Sequence, residues 1–217
     1  MRRVSSWEPH PGKALRKCFP KRKINLVRYA DNFIVTGASR EFLEQVVVPF
    51  IKAFLAERVL QLSKEKTRLT HIREGVDFLG HNVRKYGQEG KEKLLIKPSK
   101  PTVKSVLSKA KAIFKKKVSS KTVNVVRELN PVLRGWANYH RHVCSKKVFS
   151  KVDWRVGGMI LKWAKRRHPN KSMDWIHNKY LTTRGGEHWV FYGRGSDAIA
   201  GSLDESDVSG DYRSYER

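Results

Sequence analysis

Cysteine is nearly absent from this 217-residue sequence, which holds only Cys18 and Cys144. Two such residues cannot build a disulfide framework, nor a zinc knuckle with Cys-x-x-Cys spacing, and they suit a reducing compartment. No apolar run approaches the length of a membrane-spanning helix, and the basic N-terminus lacks an apolar signal core, so neither insertion nor secretion is indicated. The eight His residues are scattered. His140 and His142 are two apart on an expected helix and so do not share a face, which argues against a metal site. Acidic residues are also few: 20 Asp and Glu stand against 46 Lys and Arg, a formal net charge of +26. That excess goes far beyond what solubility needs and points to a polyanionic partner. With six Trp and seven Tyr to offer stacking faces, nucleic acid fits better than an anionic membrane surface.

The charge is concentrated. Between Lys100 and Lys171 there are 20 Lys and Arg against only Glu128 and Asp153. A lysine stripe is ordinarily a solvated helix face, but this imbalance is too large for that and predicts phosphate contacts.

The patterning predicts an α+β chain. Residues 1–23, with Pro9, Pro11, Gly12 and Pro20, form an irregular basic arm. Asn25 to Tyr29 and Phe33 to Thr36 are β-prone runs around a polar tip at Asp31-Asn32, a tight hairpin in which an Asx residue takes the left-handed backbone. Ser39 is an N-cap with Glu41 in the first turn. Apolar pairs at 42/43, 46/47, 50/51 and 54/55 give the helix that follows a buried face, and Pro49 kinks or splits it. Val59 to Ser63, Lys66 to Ile72, Val76 to Lys85 and, after a turn at Gly90, Leu94 to Lys97 read as strands. Pro98 and Pro101 mark a break, after which the pattern becomes helical. Val103, Val106, Leu107, Ala110 and Phe114 share a core face. Helices are expected over Thr122 to Leu129, from Pro131 through His140, over Val148 to Arg167 and over Asp174 to Leu181, with a strand at His188 to Tyr192 after Gly185-Gly186. Residues 193–217 read as a disordered acidic tail.

Tyr29-Ala30-Asp31-Asn32 resembles the Tyr-Ala-Asp-Asp hairpin of the reverse transcriptases encoded by group II introns. Leu62-Ser63-Lys64-Glu65-Lys66-Thr67, Phe78-Leu79-Gly80, Leu129-Asn130-Pro131 and Arg134-Gly135-Trp136-Ala137-Asn138-Tyr139-His140 resemble, in order, the late palm motifs and the maturase-specific domain of that family. The resemblance spans about residues 24 to 192. It implies the C-terminal half of a palm over 24–97 (hairpin, kinked helix, short strands), and a mainly helical thumb and maturase domain over 98–192. It also implies that fingers and first catalytic aspartate belong upstream of a chain that begins mid-palm.

The resemblance implies two kinds of site. In the palm, Asp31 is the vestige of a metal ligand, Asn32 replaces the family's second aspartate, and Lys66 is a candidate for approaching a leaving pyrophosphate. An amide is neutral with one oxygen and ligates a metal less well than a carboxylate. In the helical part, Arg134, Asn138, Tyr139, Arg141, Lys146, Lys147, Lys162, Lys165, Arg166 and Arg167 are the expected RNA-binding residues. The first reading is therefore an RNA-binding maturase remnant. It holds group II intron RNA, or another structured RNA, without a cofactor, in the bacterial cytoplasm or an organellar matrix. The alternatives are one part of a split RNA-directed DNA polymerase, with magnesium and a second chain carrying the N-terminal half, and a decayed reading frame.

Overall fold

The computed structural model describes residues 15, 17–19, 23–63, 65–184, 187–192 and 199–200, so most of the expected arm and nearly all of the expected tail lie outside the described residues. The chain divides into two compact units, Met1–Phe78 and Leu79–Arg217.

In the first unit, β1 (Asn25–Tyr29) and β2 (Asn32–Thr36) form an antiparallel hairpin with Leu26 opposite Val35 and Tyr29 opposite Asn32. The turn is one residue earlier than the sequence suggested. Ala30, with φ 51°, takes the left-handed backbone, and Asn32 is already in the strand. Leu26, Phe33 and Val35 pack on a small core of Leu15, Ile24, Val47 and Ile51.

Ser39 caps α1 (Arg40–Phe42) as expected, its hydroxyl accepting from the Phe42 N–H. Of the two outcomes expected at Pro49, the helix does not split. It widens into a π-helical turn (Leu43–Val47) and continues as α2 (Val48–Ala56). The Val48 N–H bonds back to the Leu43 carbonyl, five residues earlier. A π-turn is a known way for a helix to absorb a local fault, and here it precedes the residue with no N–H to give.

The strands expected over Val59 to Ser63 and Lys66 to Ile72 do not form among the described residues. Val59 instead ends the helix: its N–H bonds to the Ala56 carbonyl and that of Leu60 to the Leu55 carbonyl, with Val59 at φ 57°. This is the paired 5→2 and 6→1 closure of a helix C-terminus. Lys66 lies in an exposed turn closed by Thr67, whose N–H and hydroxyl both bond the Ser63 carbonyl. The single strand expected from Val76 is also divided. β3 (Val76–Phe78) closes the first unit, and Leu79 and Gly80 turn with φ 48° and 78° before β4 begins.

The second unit opens with β4 (His81–Tyr86) and β5 (Lys93–Pro98), paired from His81 opposite Pro98 to Tyr86 opposite Lys93. Their connection requires glycine at Gly87, where φ is 117° and a Cβ would lie 2.8 Å from the Lys91 carbonyl oxygen.

Four helices follow: α3 (Lys100–Lys116), α4 (Thr122–His140), α5 (Lys146–Arg167) and α6 (Met173–Tyr180). Val106, Ala110 and Phe114 carry the expected face of α3 into the core, with Val103 and Leu107 at its margin. The core is completed by Val125, Val126, Leu129 and Leu133 of α4 and Phe149, Val152, Val156, Ile160 and Trp163 of α5.

The two helices expected around Pro131 are one continuous α4. Pro131 is on the exposed side while Leu129 and Leu133 are buried, so the missing bond to a carbonyl falls where water can replace it. The hairpin is tied to these helices by the Cys144 N–H to the Ile96 carbonyl and the Ser99 N–H to the Gly80 carbonyl. β6 (Leu181–Arg184), β7 (Glu187–Tyr192) and β8 (Ile199–Ala200) form a last antiparallel sheet, whose Phe191 is buried against Trp163 at 6.0 Å.

Candidate nucleic-acid interface

The hairpin tip offers little to a metal. Asp31 and Asn32 are both exposed, and the Asn32 amide nitrogen donates to Asp31 Oδ1 at 3.0 Å. Where two carboxylates would repel until a cation bridged them, an amide and a carboxylate satisfy each other. Arg28 Nε binds the Ala30 carbonyl at 2.9 Å and braces the turn. Among the described residues no group of three or more His, Cys, Asp or Glu side chains is arranged to hold a metal ion. This donor set does not fit the paired carboxylates that a two-metal phosphoryl-transfer centre needs.

The helical unit presents cations outward. On α4, Arg127, Pro131, Arg134, Asn138 and the C-cap Arg141 are exposed at three- and four-residue spacing, so the expected trio of Arg134, Asn138 and Arg141 shares one face. On α5, Lys146, Lys147, Lys151, Arg155, Lys162, Lys165 and Arg166 line the surface, and the long core face of the helix is turned the other way.

Two residues expected to contact RNA have work within the fold. The Arg167 guanidinium bonds the Ser120 carbonyl and sits 4.8 Å from the Trp163 ring centroid, and it is only half-exposed. The Tyr139 hydroxyl donates to the Leu79 carbonyl at 2.7 Å while its ring stacks on His81 at 5.2 Å. Lys165 keeps its charge exposed but leans on the Lys171 carbonyl at 2.7 Å.

Trp154 was not anticipated from the sequence. It is 75% exposed on α5, with the Arg155 guanidinium 5.9 Å from its ring centroid. A signal existed: the buried positions Phe149, Val152, Val156, Ile160 and Trp163 follow the helical period, and 154 falls out of phase with them.

His140 and His142 do meet, through a third histidine. His81 on β4 lies 4.7 Å from the His140 ring and 5.5 Å from that of His142. His140 is fully buried between His81, Trp136 and Tyr139, and neither of its ring nitrogens has a hydrogen-bond partner among the described residues. Burial, reinforced by the nearby His81 and His142, lowers its pKa to about 4. His81 is lowered by burial and by His142. His168, whose Nε2 is 2.8 Å from the Tyr180 hydroxyl, is lowered by burial and by Lys179, Arg167 and Lys171. Tyr180 is raised by burial.

Comparison with known proteins matches two parts of the chain to two families. Residues 10–83 match the reverse transcriptase (RNA-dependent DNA polymerase) family, and residues 103–181 match the group II intron, maturase-specific domain. No curated protein matches the chain. No helix among the described residues is long and apolar enough to cross a membrane. The hairpin lies within the first match and the cationic faces of α4 and α5 within the second, and with both domains on one chain the protein belongs to the group II intron-encoded reverse transcriptase/maturase family.

Proposed function

We propose that the chain binds the folded RNA of a group II intron and assists its splicing as a stoichiometric RNA-binding protein. The observation that carries this reading is the pair of outward cationic faces on α4 and α5, inside the maturase-specific match. Arg127, Arg134 and Arg141 on one, and Lys147, Lys151, Arg155 and Lys162 on the other, neutralise phosphates and release counterions. Asn138 adds a hydrogen-bonding group. Bound RNA structure gains the stability of those contacts, and the splicing chemistry belongs to the RNA. Exposed free thiols at Cys18 and Cys144 fit a reducing compartment, the bacterial cytoplasm or an organellar matrix.

The test is affinity for a group II intron RNA and for an unrelated structured RNA of equal length, across a salt series. A preference for the intron that survives moderate salt is expected. Equal affinities that collapse together would reduce the protein to a nonspecific polycation and end the splicing reading.

The reverse-transcriptase match over residues 10–83 favours a second reading, in which a second chain and magnesium complete a polymerase around Asp31 and Lys66. The engaged, single carboxylate at the tip weighs against it. Purified alone, the chain is expected to extend no primer on any template with a divalent metal. Incorporation that disappears in Asp31→Ala would restore the polymerase reading.

A further inference from the structure

Trp154 and the helix around it pose a physical puzzle. A tryptophan 75% exposed leaves a large apolar ring in water, and among the described residues Trp154 is no part of the second unit's core. One turn further along the same helix come Gly157 and Gly158. A Cβ added at either would meet nothing within 4 Å among the described residues, so no close packing there explains them. Each glycine in a helix interior costs about 0.5–1 kcal/mol relative to alanine.

These features are connected by helix geometry. Helical side chains lean toward the N-terminus of their helix, so a side chain at 157 or 158 would reach back over the surface beside Trp154. With glycine at both positions there is no side chain there to lie over the indole. Around it stand Lys147, Lys151, Arg155 and Lys162 on the helix surface. An exposed aromatic ring framed by cations is the arrangement that holds an unpaired nucleotide: the base stacks on the ring and the flanking phosphates pair with the cations.

We infer that Trp154, with the open backbone at Gly157 and Gly158, is a stacking platform for one unpaired base of the bound RNA. It rests on the reading of α5 as RNA-facing and deepens it. This face selects bulges, loops and junctions over continuous duplex, because a paired base offers no free surface to the indole.

The full chain is tested against two RNA hairpins of equal length, one fully paired and one carrying a single bulged adenosine. The unmodified protein is expected to bind the bulged hairpin more tightly. Trp154→Leu should weaken binding to it by about 5- to 150-fold, the range of one stacked base, and erase the preference. Trp154→Phe, which keeps an aromatic face, should retain most of it. Trp154 is exposed, so both variants should keep the unmodified protein's thermal midpoint.

A bulged-to-paired ratio that is the same in Trp154→Leu as in the unmodified chain overturns the inference, as does a loss in Trp154→Phe as large as in Leu. An acidic protein segment as the true occupant would give the first of these results. The triple substitution of Lys151, Arg155 and Lys162 by alanine tests the underlying reading separately. It should lower affinity for both hairpins, and if it lowers neither, α5 does not face RNA whatever Trp154 does.

Discussion

His140 shows how a single side chain can make the fold sensitive to acid. It is fully buried, aromatic rings surround it, and neither ring nitrogen has a hydrogen-bond partner among the described residues. Its neutral form suits that site and its cation does not, so its pKa falls to about 4 from an unfolded value of 6.5. Between those two values the unfolded chain binds a proton that the folded chain refuses. Stability is therefore fully present above about pH 6.5 and is lost as pH falls toward 4. At about 1.4 kcal/mol per pH unit, the loss approaches roughly 3 kcal/mol by the lower end, and His81 adds to it in the same direction. Urea midpoints at pH 7.5, 5.5 and 4.5 should fall steadily, and His140→Phe should flatten most of that dependence. A midpoint constant over the range would contradict the role given to His140. None of this was legible in the sequence, because His81 and His140 are brought together only by the packing of the β4–β5 hairpin on the end of α4.

At the scale of the element, the helices were readable wherever a periodic apolar face set their course. The α3 face of Val106, Ala110 and Phe114 and the α5 face of Val152, Val156, Ile160 and Trp163 follow the helical period directly. What local rules misjudged were the exceptions. Pro131 looked like a helix start but sits inside α4, because buried Leu129 and Leu133 hold the helix together on the other side. Val59 looked like the first residue of a strand, since β-branched residues favour extended backbone. It is instead the left-handed closing residue of α2, 94% exposed. A β-branched residue in that conformation is strained, at roughly 1–2 kcal/mol, where glycine is not. With no packing to lose, Val59→Gly should raise the stability of the first unit by about 1 kcal/mol, part of the relief being offset by the greater freedom of glycine when unfolded. Chemical denaturation followed by a probe in that unit would read it, and a lower midpoint would show that Val59 makes contacts worth more than its strain.

At the scale of the whole molecule, the count of 46 Lys and Arg overstates what an RNA can use, because several of these cations are engaged within the fold. Lys117 holds Glu128 at 2.7 Å, Arg58 bonds the Phe54 carbonyl and Glu57, Lys85 reaches Glu92 at 3.3 Å, and Arg167 is fixed on Ser120 and Trp163. Composition alone could point to a polyanionic partner but could not separate these from the cations that face outward. The separation is measurable. Each phosphate neutralised on a single strand contributes about 0.7 to the slope of log affinity against log salt, and each on a duplex about 0.9. Replacing Lys147, Lys151, Arg155 and Lys162 together by alanine should therefore flatten the slope by about 3, with little effect on the thermal midpoint because all four lie on the helix surface. Arg167→Ala should do the opposite, lowering the midpoint while shifting the slope by less than one phosphate's worth. If removing Arg167 flattened the slope as much as removing an outward lysine, its bonds to Ser120 and Trp163 would have to give way when RNA binds. The cationic interface would then extend around the C-terminal end of α5, where the sequence first placed it.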